Sequence, residues 1–279
     1  MKRRFGVIGG DRRQAELARL LAADGHQVLT YGLGAWRAEG PVSLEEALGA
    51  EVVLLPLPLC REEGRLNSEE GAVPTAELFR LLRPEQRVLA GQVWPQQLQE
   101  ARSCGLRVED YFLREDLMVA NAAATAEAAI QAAMERLDRS LLGMECLVLG
   151  YGRIGKLLSH RLQGLGARVT ATARRPEDLA WIRAYGLRAL RTTELDGTLG
   201  GFGAVFNTIP APVLTAALLA ELPEDCLCVD LASRPGIDLA AAERLGRSCV
   251  WARSLPGRLL PRTAAEAIRD AVYYILMEE

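Results

Sequence analysis

The chain predicts an α/β protein of two parallel-sheet domains, Rossmann-like or flavodoxin-like, joined by a long interdomain helix. Three observations carry this. Short apolar runs alternate with amphipathic segments through residues 4–109, the rhythm of strands and crossover helices in a parallel sheet. A second series opens at Cys146-Leu147-Val148-Leu149 and runs directly into Gly150-Tyr151-Gly152-Arg153-Ile154-Gly155, which reads as a strand, a tight turn and a helix N-terminus. Between the two series, residues 121–142 are alanine-rich and contain neither glycine nor proline.

In order, Arg4–Ile8 is a strand entering Gly9-Gly10-Asp11-Arg12-Arg13-Gln14, followed by a helix with Leu17, Leu20 and Leu21 on one face and a strand at Gln27–Tyr31. Ser43-Leu44-Glu45-Glu46 has the pattern of a capping box opening a short helix. A buried strand at Glu51–Leu55 leads into a long loop. A helix at Thr75–Leu82, a strand at Arg87–Ala90, a helix from Pro95 and a strand at Leu106–Glu109 complete the first series. In the second, Ala167–Ala173 is the strand after the glycine turn, with further strands at Gly186–Leu190, Ala204–Phe206, Cys226–Asp230 and Ser248–Val250 and a helix from Val213. Thr263–Met277 carries an apolar stripe of Ile268, Val272, Ile275 and Leu276. The expected domains are 1–120, a linker helix 121–142 and a dinucleotide-binding domain 143–262, with the terminal helix 263–279 returning to the first domain.

Composition narrows the function. A chain of 279 residues with 49% hydrophobic residues supplies two full cores. A net charge of −3 argues against nucleic acid or an anionic membrane as partner, and no apolar run is long enough to span a bilayer. The six cysteines show no C-x-x-C and no paired Cys/His spacing, so neither a structural metal nor a disulfide framework is expected.

The fingerprint assigns Gly150 to the turn, Gly152 to close approach of a pyrophosphate and Gly155 to helix–strand packing, with the free N–H groups of the helix facing the phosphates. An NAD site usually has an acid about 20 residues past the first glycine. Here Arg174 and Arg175 stand after the second strand and the first acid is Glu177. A guanidinium pairs with a 2′-phosphate that a carboxylate would repel, so NADP is favoured and NAD remains open. The segment Gly9–Gln14 lacks the third glycine and places Asp11 at its mouth, which suits a substrate better than a second dinucleotide.

Ligands of open α/β sheets lie off the carboxyl ends of the strands. Besides Gly9–Gln14, those ends are Pro56-Leu57-Pro58, Asn207-Thr208-Ile209-Pro210, Asp230–Gly236 and Ser254–Arg258. His26 and His160 lie away from them and the lysines are Lys2 and Lys156, so a histidine or lysine base is disfavoured. The polar candidates are Asp11, Asn121, Thr125, Glu127, Asn207 and Ser233, and Arg12, Arg13, Arg234 and Arg258 suit a carboxylate substrate.

Taken together, Ile8–Gln14, Asn121-Ala122-Ala123-Ala124-Thr125-Ala126-Glu127, Gly150–Gly155, Asn207–Pro210, Asp230–Gly236 and Leu255-Pro256-Gly257-Arg258 resemble the A-subunit family of dipicolinate synthase over nearly the whole chain. Ile237 and Arg258 depart from the family's pattern, where a glycine and a lysine are expected. The resemblance implies NAD(P)-dependent dehydrogenation of dihydrodipicolinate, or its hydrated precursor, to dipicolinate. It also implies a partner, the flavoprotein B subunit of dipicolinate synthase, and the cytoplasm of a sporulating mother cell; a homo-oligomer is expected. On this reading Gly150, Tyr151, Gly152, Arg153, Ile154 and Gly155 hold the pyrophosphate and Arg174 and Arg175 the 2′-phosphate. Asn207, Thr208, Ile209, Pro210 and Ser233 take the nicotinamide end. Arg12, Arg13, Asn121, Thr125, Arg234 and Arg258 bind substrate, and Asp11 and Glu127 are the candidate proton acceptors. Two alternatives remain: an NADP-binding scaffold subunit without turnover of its own, and an amino- or imino-acid oxidoreductase of alanine-dehydrogenase-like layout.

Overall fold

The structure, a computed structural model, describes residues 2–36, 42–62, 64–71 and 73–278. The chain divides into two compact units, Met1–Asn121 with Pro256–Glu279, and Ala122–Leu255. The first contains β1 (Arg4–Ile8), α1 (Arg12–Ala23), β2 (Gln27–Tyr31), α2 (Leu44–Leu48), β3 (Val52–Leu54), β4 (Cys60–Glu62), β5 (Arg65–Leu66), α3 (Thr75–Leu81), β6 (Arg87–Ala90), α4 (Pro95–Ser103) and β7 (Val108–Asp110). Helix α5 (Glu115–Met134) crosses the division. The second unit holds β8 (Glu145–Leu149), α6 (Arg153–Gly164), β9 (Arg168–Ala173), α7 (Pro176–Ala184), β10 (Arg188–Arg191), β11 (Ala204–Asn207), α8 (Ala216–Glu221), β12 (Leu227–Asp230), α9 (Leu239–Arg244) and β13 (Cys249–Trp251). Helices α10 (Leu255–Leu259) and α11 (Pro261–Met277) follow.

The described strands of the first unit form a parallel sheet in the order β2-β1-β3-β6-β7, and those of the second a parallel sheet in the order β10-β9-β8-β11-β12-β13. The first is the flavodoxin-like order and the second the doubly wound dinucleotide-binding order. Within the first unit the period of two divides the strands between two cores. Phe5, Val7, Val52 and Leu54 pack with Leu17 and Leu21 of α1 and Ile268, Val272 and Leu276 of α11. Ile8, Val53, Leu55 and Val88 pack with Leu78 and Phe79 of α3 on the other face. In the second unit Leu147, Leu149, Val205 and Cys228 pack with Leu219 and Ala241 of the following helices. Helices on both faces explain why these strands read as continuous apolar runs.

Two sequence expectations are corrected. The alanine-rich helix is Glu115–Met134, not 121–142. It begins where Glu115 and Asp116 complement the positive end of the helix, and the charged segment after Met134 turns instead of continuing. The long loop after β3 contains the antiparallel hairpin β4–β5. The capping box forms: Glu46 N donates to Ser43 Oγ (3.2 Å) and Ser43 N to Glu46 Oε2 (2.9 Å). Among the described residues no helix is long and apolar enough to cross a membrane.

Candidate functional site

In the second unit, β8 delivers Leu149 to a turn whose three glycines do different work. Gly150 takes φ +95°, and a side chain there would meet Thr208 Oγ1 and Ile209 Cγ1 at 2.6 and 2.9 Å. A Cβ on Gly155 would strike the carbonyl oxygen of Gly150, so α6 is drawn against the turn only because Gly155 has none. Around Gly152 nothing lies within 4 Å of such a Cβ. The open ground is therefore at the glycine expected to admit a pyrophosphate. Gly152 is also the N-cap of α6 and offers no side-chain cap, which leaves first-turn N–H groups for an anion. Thr172 Oγ1 fixes the turn by accepting from Gly150 N at 3.1 Å, and Thr208 Oγ1 donates to Leu149 O at 2.9 Å. Tyr151 is buried, with Lys156 Nζ 5.6 Å from its ring centroid. Arg153 and Ile154 open α6.

The two arginines after β9 differ. Arg175 is the N-cap of α7 and its guanidinium turns back onto Asp178 (2.8 Å) and Glu177 (3.5 Å). Arg174 is exposed, with no ion pair among the described residues. Of the two arginines expected at a 2′-phosphate, Arg174 thus has no ion pair among the described residues, whereas Arg175 is paired at the surface with Asp178.

Asn207 is fully buried and cannot touch a ligand as expected. Its amide donates to Ile209 O (3.0 Å) and Asp230 Oδ1 (2.9 Å), and its oxygen accepts from Ile209 N (3.0 Å). Asp230, also fully buried, accepts from Ala232 N, Gly236 N and Ile237 N at 2.8–3.0 Å. This pair ties the ends of β11 and β12 together. It sets the backbone that presents Thr208, Ile209 and Pro210 on one loop and the exposed Ser233 and Arg234 on the next. A side chain on Gly236 would meet Asn207 Nδ2, Ile209 O and Ala211 O. Ile237 is buried and bridges to Leu214, so the departure noted at this position fills core.

In the first unit the corresponding strand ends carry Gly9–Arg13, Pro56–Pro58 and Gly91–Trp94. Asp11 is the N-cap of α1, accepting from Arg13 N (3.0 Å), and its carboxylate also pairs with Arg13 Nη2 (2.8 Å). Burial alone would raise the Asp11 carboxyl, but the hydrogen bonds and charge of Arg13, with the charge of Arg61, outweigh it and hold the group below its ordinary value. A carboxylate already paired with Arg13 and held below its ordinary value is a poor proton acceptor. Asp11 is therefore a structural anion, contrary to its expected role. Arg13 is 6% exposed and its remaining reach goes to Leu57 O, which removes it from the carboxylate clamp. Arg12 and Arg258 are exposed, with no ion pair among the described residues. A Cβ on Gly257 would come within 2.8 Å of Arg13 Nε and 3.0 Å of Asp11 Oδ2, so the Arg258 segment lies against the same end of this sheet.

Glu127 is also corrected. It pairs with Arg161 at 3.1 Å, about 12 Å along α6 from its first residue at 1.5 Å per residue. On α5 it is two residues from Thr125, or about 200° around the helix, so the two cannot line one wall. Asn121 and Thr125, four apart, share a side. Sequence reasoning passed over Trp36, whose ring lies 5.4 Å from Arg12 Cζ. It also passed over Gln92, a non-glycine residue at φ 55° whose N–H donates to Asp110. The signal for the second was Gly91-Gln92-Val93-Trp94-Pro95 at a strand end; the first had only the expected adjacency of β1 and β2.

A family model described as the N-terminal domain of the dipicolinate synthase A-subunit matches residues 4–112. The chain is 28% identical to the dipicolinate synthase A-subunit of Bacillus subtilis (strain 168), over 99% of this chain and 96% of that protein. It superposes on the crystal structure of the dipicolinate synthase A-subunit from Bacillus halodurans with a TM-score of 0.85 and 27% identity, covering 98% of this chain and 97% of that one. The transhydrogenase of Sinorhizobium meliloti, at 17% identity and a TM-score of 0.66 over 94% of this chain and 87% of that one, shares the fold. The chain is thus similar to the dipicolinate synthase A-subunit over nearly its whole length, and residues 4–112 match the model of that subunit's N-terminal domain.

Proposed function

We propose that the chain is the NADP-dependent dehydrogenase subunit of a dipicolinate synthase, oxidising dihydrodipicolinate or its hydrated precursor to the aromatic diacid. The observation that carries the reading is the open ground at Gly152, flanked by glycines that the fold requires at 150 and 155. A turn of that shape fits a pyrophosphate on the N-terminus of α6. The similarity to the dipicolinate synthase A-subunit supports the substrate class.

When bound, NADP supplies the hydride acceptor. The residues of the chain supply binding and orientation. In the second unit, Gly150–Gly155 present backbone N–H groups to the diphosphate and Arg174 presents a guanidinium to the 2′-phosphate. Loops 207–210 and 231–236, locked by Asn207 and Asp230, shape the ground for the reactive ring. In the first unit, Arg12 and Arg258 offer charge-assisted hydrogen bonds to carboxylates. Forming an aromatic ring is strongly favourable, so positioning outweighs the strength of any base. That agrees with Asp11 and Glu127 being engaged in ion pairs. The same engagement favours a second reading, in which a flavoprotein partner carries part of the chemistry and this chain binds nucleotide without turnover alone.

The cofactor assignment is tested by titrating wild type, Arg174→Ala and Arg175→Ala with NADPH and NADH. Arg174→Ala should weaken NADPH binding by about 1.5–3 kcal/mol, the value of a hydrogen bond to a charged group, with NADH unchanged and Arg175→Ala milder. Equal losses for both cofactors would refute the 2′-phosphate role.

A further inference from the structure

We propose that Trp36 is a positioning residue of the carboxylate-binding end of the first unit, acting by holding the guanidinium of Arg12 in place before the substrate arrives. The inference rests on the reading that this end binds a dicarboxylate, and it adds a residue that no motif assigns.

Strands β1 and β2 run side by side in register, Ile8 opposite Tyr31, and Gly9 N donates to Tyr31 O at 2.8 Å. Their ends therefore deliver Gly9–Arg12 and Gly32–Trp36 to the same edge of the sheet. Arg12 Cζ lies 5.4 Å from the centroid of the Trp36 ring. Both side chains remain exposed, Trp36 by 43%, so the indole is not spent on filling core. The neighbouring cations are committed elsewhere: Arg13 to Asp11 and Leu57 O, and Arg61 to Glu69 at 2.8 Å. Arg12 has no carboxylate partner among the described residues.

A guanidinium held over a ring face by cation–π attraction still has N–H donors for a carboxylate. An exposed arginine must surrender rotamer freedom to bind a ligand, and a ring that already holds it makes part of that loss in the free protein. Arg258 supplies a second cation without an ion pair on the same unit, its segment held against Arg13 and Asp11 through Gly257. Two such cations suit a ligand with two carboxylates.

The test is calorimetric binding of dipicolinate to the full chain with NADP present, in wild type, Arg12→Ala, Trp36→Leu, Trp36→Phe and the Arg12→Ala/Trp36→Leu double variant. Arg12→Ala should weaken dipicolinate about ten- to a hundredfold. Trp36→Leu should weaken it about two- to fivefold, Trp36→Phe should retain most of the affinity, and the double variant should be no weaker than Arg12→Ala alone. NADPH affinity should not change, and in turnover KM for the dicarboxylate should rise while kcat holds. If Trp36→Leu binds like wild type while Arg12→Ala is weakened, or if the two losses simply add, the positioning role is wrong and the dicarboxylate reading stands. If Arg12→Ala leaves dipicolinate binding intact, the dicarboxylate reading of this end fails, and the role of Trp36 with it.

Discussion

Single residues separate packing from binding most sharply at the fingerprint. A methyl group at Gly155 would strike the Gly150 carbonyl, so Gly155→Ala should cost about 1–3 kcal/mol of stability, as overpacking does. At Gly152 the same methyl meets nothing and should change stability by less than about 1 kcal/mol. It would, however, intrude where the proposed diphosphate approaches, lowering NADPH affinity by about tenfold or more. Denaturant unfolding with NADPH titration of both variants checks the contrast. Asp11 makes a prediction in pH. Its folded pKa is depressed, so its pairing stabilises the fold fully above the unfolded carboxylate value. That contribution is lost as pH falls through the lower folded value. Asparagine keeps the cap and discards the charge. Asp11→Asn should therefore be less stable than wild type near neutrality and lose less on acidification between about pH 5 and pH 2. Parallel unfolding curves across that range would contradict the assignment.

At the scale of elements, the loops after β11 and β12 act as one device because the Asp230 carboxylate accepts from Asn207 and three backbone N–H groups. Asp230→Asn replaces an acceptor by a donor facing those groups and should cost about 2–4 kcal/mol, the upper range for a broken buried network. NADPH affinity should fall with it. A variant as stable as wild type would show that the loops hold themselves. The strands were legible to within a residue or two: at Arg4–Ile8 and Arg87–Ala90 burial on both faces leaves a mainly apolar run, and at the edge strand Gln27–Tyr31 the β-branched and aromatic residues mark it. The 115–134 helix was misplaced because alanine carries no periodicity to mark where packing starts and stops. The candidate site was legible where glycine spacing dictates backbone shape. It was not legible where an ionic group chooses its partner. Arg13 and Arg175 read as ligands for carboxylate and phosphate, yet Asp11 and Asp178, two and three residues away, hold them. Asn207 reads as a contact residue and is instead the hidden half of a turn.

For the whole molecule, two parallel sheets of different strand order divide the labour proposed here: dinucleotide in the second unit, dicarboxylate in the first. The most direct measurement supplies freshly generated dihydrodipicolinate and NADP to the purified chain, with and without the flavoprotein subunit proposed as its partner. It follows the near-ultraviolet absorbance of reduced nicotinamide while quantifying dipicolinate. The account predicts NADPH and dipicolinate formed in equal amounts, with NADP preferred to NAD and the Gly152→Ala variant impaired. Dipicolinate formed at the same rate without any nicotinamide cofactor, or reduction of NADP with an amino acid and none with dihydrodipicolinate, would contradict it.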